Sequence, residues 1–212
     1  MVMTHPFHTL GQLLAELNDL RARADASFRK VVEGHPEAVA CASGCDDCCH
    51  ALFDLSLLEA LSLALAFQEL PRAERREIRR RGEKSAQIFD KAAAQALAAP
   101  LEGRMRLLSQ ARVPCPLLSD GRCLLYRDRP LTCRLYGVPV GIDGTSRTCH
   151  RSRFLPGRSY PTVDMALVQM ELERLSRPAA RLLPSLGPAR RDVARALELA
   201  YTHGPALRSL TG

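Results

Sequence analysis

At 212 residues and 46% apolar, the chain is long enough to bury a core of its own, and a single domain over 1–212 is expected rather than two small ones. Tryptophan is absent and aromatics make up only 5%, so the core must rest on Leu, Ala and Val, a composition that excludes little but suits helices better than a β-sandwich. The formal charge of +7 invites a nucleic-acid reading, yet eight thiolates would turn it into −1, so a basic chain is partly what a cysteine-rich metal protein requires.

From the N-terminus, Met1 to Leu20 is broken by Pro6, Gln12, Glu16 and Asp19 and has no apolar core of a secretory leader. No stretch approaches the roughly 18 apolar residues of a membrane span. A cytoplasmic protein with no membrane association is therefore expected, and cysteines kept in a reducing compartment point to metal or redox chemistry before disulfides. Thr9 followed by Gln12 reads as a capping box, and Leu10, Leu13, Leu14, Leu17, Leu20, Ala24, Phe28 and Val31 keep helical spacing, predicting a helix over 9–33 that Gly34 and Pro36 end. A cysteine-rich stretch, Cys41 to His50, follows. Ser56 with Glu59 makes a second capping box, opening a helix through Leu57, Leu58, Leu61 and Leu65 to Leu70.

Much of the positive charge lies between Pro71 and Arg81, where Glu74 and Glu77 are interleaved. That pattern predicts a solvated helix face, so no nucleic-acid partner is expected. An alanine-rich helix should then continue to about Ala99, before Pro100. From Val113 to Pro161 prolines and glycines crowd together, predicting turns and short extended pieces, with tight turns at Asp120-Gly121 and Asp143-Gly144. Helical spacing returns over 162–203, through Met165, Val168, Leu172 and Leu175. A last helix is predicted from Pro188 to about His203, closed by Gly204.

A loop-rich region of this length needs something besides apolar burial to order it, and the cysteines lie there. The first group is Cys41-x3-Cys45-x2-Cys48-Cys49. On a helix, at about 100° per residue, Cys41, Cys45 and Cys48 would share a stripe about 60° wide while Cys49 turned aside, unless Gly44 breaks the helix. The second group is Cys115-x7-Cys123-x9-Cys133-x15-Cys149, in which Cys115 and Cys123 bracket a turn from Pro116 to Gly121. All eight, Cys41, Cys45, Cys48, Cys49, Cys115, Cys123, Cys133 and Cys149, are candidate metal ligands over a region spanning 41–149. They suffice for two four-cysteine sites, or for one site with spare thiols.

The C-x3-C-x2-C spacing also occurs in radical S-adenosylmethionine enzymes, but those alternate strands with helices after the motif. The next fifty residues here read as helices. Three further spaced elements, Cys41-Ala-Ser-Gly-Cys-Asp-Asp-Cys-Cys-His50, Cys115-Pro-Leu-Leu-Ser-Asp-Gly-Arg-Cys123 and Tyr126-Arg-Asp-Arg-Pro-Leu-Thr-Cys-Arg-Leu-Tyr-Gly137, resemble the YkgJ-type cysteine-cluster proteins, a zinc- or iron-chelating family. The resemblance spans about half the chain and implies metal chelation in a bacterial cytosol. Flagellin lysine methylases, much longer iron–sulfur proteins that use S-adenosylmethionine, resemble the same pattern more distantly.

Soft thiolates accept both zinc and iron. Ligands scattered over distant segments favour a cluster, most simply [4Fe–4S], over zinc. Arg127, Arg129 and Arg134 lie beside Cys123 and Cys133, and Arg129 and Arg134 are candidates to hold a negatively charged cluster. Tyr126 and Tyr136 read as core tyrosines, His50 and His150 as outer or surface groups, and Asp46 and Asp47 as residues that cap or solvate their turn.

The expected architecture is mainly α, with helices packed around an irregular cysteine-rich metal-binding lobe. The leading function is an iron–sulfur protein serving electron transfer or supporting a modifying enzyme, with a protein partner or peptide substrate. The alternatives are a structural zinc module and an S-adenosylmethionine-dependent protein or peptide methyltransferase. As an enzyme the chain would be an iron–sulfur-dependent modifying enzyme, and otherwise the partner of one.

Overall fold

The computed structural model describes residues 8–211; the first seven positions of the stretch read for a leader lie outside them. The architecture is mainly α. Helix α1 (Leu10–Gly34) begins at the expected capping box, with the Thr9 hydroxyl accepting from Gln12 N–H and the Gln12 side chain accepting from Thr9 N–H. Its apolar stripe, Leu10, Leu13, Leu17, Leu20, Ala24 and Val31, is buried.

Helix α2 (Leu57–Gln68) is apolar around its whole circumference: Leu57, Leu58, Ala60, Leu61, Leu63, Ala64 and Phe67 are all buried. A helix of that kind can only sit inside others. It packs against α6 (Met165–Leu182), α7 (Val193–Thr202), α8 (Gly204–Thr211) and α1. Each fully buried leucine contributes roughly 1.5–3 kcal/mol, so α2 is the main source of apolar stabilisation.

Helix α3 (Arg72–Ala98) lies largely in solvent along its charged half, where Glu77 pairs with Arg80 and Arg81, and Glu83 with Arg79. Its buried side, Ile78, Gly82 and Ser85, includes the point where Gly82 approaches Ala194 of α7. A further helix, α4 (Leu101–Gln110), follows Pro100. Among the described residues no helix is long and apolar enough to cross a membrane.

Both Asp-Gly pairs form the expected tight turns, with positive φ at Asp120 (50°), Gly121 (71°), Asp143 (49°) and Gly144 (71°). That conformation matches the twist of a two-residue hairpin. The first turn joins β1 (Leu118–Ser119) to β2 (Arg122–Cys123), and the second joins β3 (Val140–Ile142) to β4 (Thr145–Arg147). Strand β5 (Val163–Asp164) adds to β3 in parallel. Between the hairpins lies a short helix, α5 (Leu131–Leu135), packed on α1.

Three predicted helix limits need correction. Residues from Thr162 first make β5, and α6 starts at Met165 because the Asp164 carboxylate caps Ala166 N–H. The last predicted helix starts at Val193, where Asp192 accepts from Arg195 N–H, because Arg191 is held in an extended bridge to Leu55. Gly204 does not close the chain's helical part; it begins α8. Gly204 lies close to Gln68, where an added Cβ would stand 3.2 Å from the side-chain oxygen.

Candidate metal centre

Residues 41–45 are not helical. Gly44 has φ +85°, and Cys45 N–H bonds to the Ala42 carbonyl in a turn. The helical stripe considered for Cys41, Cys45 and Cys48 therefore does not form. A single 3-10 turn, Asp47–His50, carries Cys48 and Cys49 side by side.

The chain before Cys115 runs antiparallel to this turn, with Val113 N–H on the His50 carbonyl (2.9 Å) and Cys115 N–H on the Cys49 carbonyl (2.7 Å). These two bonds set Cys115 against Cys49. The β1–β2 hairpin then returns Cys123 to the same place. Helix α5 delivers Cys133, and its start is pinned by buried Glu59, whose Oε1 accepts from Leu131 N–H at 3.0 Å. The other oxygen of Glu59 serves the α2 capping box. One carboxylate thus holds the first turns of two helices, where it also meets their positive ends.

Cys48, Cys115, Cys123 and Cys133 all interact with one another electrostatically. Cys48 is pulled down to about 3, chiefly because Cys133 and then Cys49 hydrogen-bond to its thiolate. Cys115 is lowered by the hydrogen bond from Cys49. The groups on the donating side move the other way: Cys133 and Cys49 are raised, each first by its bonded thiolate and then by burial. Burial lifts Cys123 to about 11. The charged form is thus most favoured at Cys48. Arg129 faces the same group and favours the charged forms of Cys48 and Cys123.

These thiols border a cavity of about 770 Å³, further lined by Phe28, Phe53, Phe89, Arg129 and Tyr126. Cys41 and Cys45 reach its rim and hydrogen-bond to each other, and Cys41 is raised to about 12 by burial and then by Cys45 and Cys149. Cys41 rests on Gly137, where an added Cβ would stand 3.2 Å from the Cys41 Cβ and within the space of its sulfur.

Cys149 lies apart from the cavity lining. Its S–H donates to Asp47 Oδ2 at 3.3 Å. Asp47 is 1% exposed and takes Arg112 on Oδ1 at 2.7 Å, with the Tyr136 hydroxyl as a further donor. Burial works to raise its carboxyl, but these donors prevail and hold it below the ordinary carboxylate range. The residue read from sequence as a solvated turn aspartate is thus a buried anchor; its partner Arg112 is 65 positions away, so no local pattern marks it.

Of the two arginines proposed for a cluster, Arg129 borders the thiols and stacks on Tyr126, 4.0 Å from the ring centre. Arg134 is 6% exposed, and its donors go to Asp25 on α1 and to the carbonyls of Arg127 and Arg129. It braces the loop that carries Arg129.

No curated protein and no solved structure matches the chain, so the more distant likeness to flagellin lysine methylases finds no support. Residues 40–150, which include all eight cysteines and more than half of the sequence, match the CxxCxxCC model, described as a "putative zinc- or iron-chelating domain", and the chain belongs to that metal-chelating family.

Proposed function

We propose that the protein carries an iron–sulfur cluster, of the [4Fe–4S] type, held by Cys48, Cys115, Cys123 and Cys133, and that it serves electron transfer or supports a modifying enzyme. The observation that carries this reading is the convergence of four mutually interacting thiols, from three separate segments, on a cavity of about 770 Å³. A single ion needs no more room than the ~30 Å³ share of one water molecule. The donor set is all sulfur, as a cluster requires.

Bound there, such a cluster supplies one-electron redox chemistry. The chain's own residues set its surroundings. Phe28, Phe53 and Phe89 exclude water, Arg129 offsets the negative charge of the thiolates, and Cys49 donates its S–H beside Cys48 and Cys115.

Zinc is the second reading, favoured by one observation: Cys48 and Cys133, and Cys49 and Cys115, strongly perturb one another's thiols, as sulfurs grouped around a single tetrahedral ion would. Anaerobic purification with iron, zinc and sulfide analysis on one sample separates the two. About four iron and four sulfide per chain are expected; zinc without sulfide would overturn the cluster.

A further inference from the structure

The geometry points to a second, mononuclear metal site, separate from the thiol cavity, formed by Asp47 Oδ2, Cys149 Sγ and His150 Nδ1 and suited to a zinc-class divalent ion. These three ligand atoms lie within 4.8 Å of one another. Oδ2 is 3.3 Å from the Cys149 sulfur and 3.4 Å from the His150 nitrogen.

Those spacings match a tetrahedral ion. With metal–oxygen and metal–nitrogen bonds of about 2.0 Å and metal–sulfur of about 2.3 Å, neighbouring ligand atoms stand about 3.3–3.5 Å apart. The site needs an ion inserted and its Cys149 proton displaced.

The surrounding groups divide the labour as a ligating carboxylate requires. Arg112 holds Oδ1 at 2.7 Å, and Arg151 lies 3.8 Å from the same oxygen, which leaves Oδ2 turned toward Cys149 and His150. Asp46 balances Arg151 at 3.8 Å. Fixing one carboxylate oxygen by an outer hydrogen bond is how ligand orientation is secured in metal sites. The Cys149 sulfur is further oriented by Arg151 N–H at 3.4 Å.

The donor set also differs in kind from the cavity. One thiolate, one carboxylate and one imidazole make a mixed, borderline set, in contrast to all-sulfur ligation. Asp47 and Cys149 are buried, whereas the His150 side chain is 68% exposed. Three protein ligands with one face toward solvent leave a fourth position for water or an incoming ligand, the pattern of a reactive site more than of a closed structural one.

The test is cobalt(II) titration of the anaerobically purified full-length protein, followed by absorption and by metal and sulfide analysis. Wild type, His150→Ala, Cys149→Ala and Cys133→Ser are compared. The expected result is one cobalt per chain, bound at least tenfold more weakly in His150→Ala and lost in Cys149→Ala, with the metal and sulfide of the cavity unchanged in both. Cys133→Ser should lose the cavity metal and keep this cobalt. Because His150 is on the surface, its replacement leaves folding intact and decides the matter alone. Cobalt affinity in His150→Ala within twofold of wild type overturns the second site. Absence of iron and sulfide from wild type overturns the cluster; cobalt then also enters the cavity thiols, and the second site is read from the one cobalt per chain that Cys149→Ala loses and His150→Ala weakens.

Discussion

Replacing Glu59 tests whether one buried carboxylate couples the central helix to the cysteine lobe. Glu59 is 3% exposed and accepts three hydrogen bonds, from Ser56 N–H (3.2 Å), the Ser56 hydroxyl (3.0 Å) and Leu131 N–H (3.0 Å). In Glu59→Ala both N–H groups lose their acceptor in a dry setting. Each such orphan costs about 1–3 kcal/mol, so the chain should lose about 4 kcal/mol. For a protein of this length that is about 8–16 °C in Tm. Glu59→Gln should lose about half as much: its oxygen can still accept from Leu131, and its NH2 can donate to the Ser56 hydroxyl, leaving one N–H orphaned. Thermal and urea unfolding by circular dichroism provide the measurement, with metal content read on the same samples, since Cys133 lies two positions beyond Leu131. A Tm for Glu59→Ala within about 2 °C of wild type, or Glu59→Gln less stable than Glu59→Ala, would refute the reasoning.

Gly137→Ala should displace Cys41 and cost about 1–3 kcal/mol by overpacking, seen as a lower Tm and faster alkylation of Cys41 by peptide mass spectrometry; unchanged labelling would show that the neighbours yield. Zinc loading of the metal-free cavity at neutral pH should release fewer than four protons, because the thiolate form of Cys48 is already favoured. Calorimetry in buffers of different ionisation heat counts them, and four released protons would mean that no thiolate is preformed. In the metal-free chain Asp47, held below the usual range, stabilises the fold fully above its unfolded value of about 4 and loses that contribution as pH falls through its lower folded value. The stability gap between wild type and Asp47→Asn should accordingly be widest near neutrality and close in strong acid, as followed by urea unfolding.

Local signals in the sequence carry over almost residue for residue. Thr9 with Gln12 and Ser56 with Glu59 cap their helices because a capping box needs only four consecutive residues. The Asp-Gly turns are equally local. What escapes is set by partners far along the chain. Strand β5 is two residues long and exists through its pairing with β3, and α8 begins at a glycine packed against Gln68. Helix α4 has Gly103 in its first turn and few apolar positions to mark it. At the candidate site the identity of the thiols was legible, but their grouping was not. It depends on the bonds that set Cys115 beside Cys49, and on the Asp47–Arg112 pair, both spanning some 65 residues.

Cys48 and Cys115 stand on either side of α2, α3 and α4, so an ion or cluster that joins them closes a loop of 67 residues. Tying those ends removes chain entropy from the unfolded state, by about 4 kcal/mol on the loop-closure relation used for crosslinks. Part of the stability of α3 and α4, which contribute none of the four sulfurs, would then depend on a metal they do not ligate. Iron or zinc supply would be felt along helices well outside the cysteine lobe.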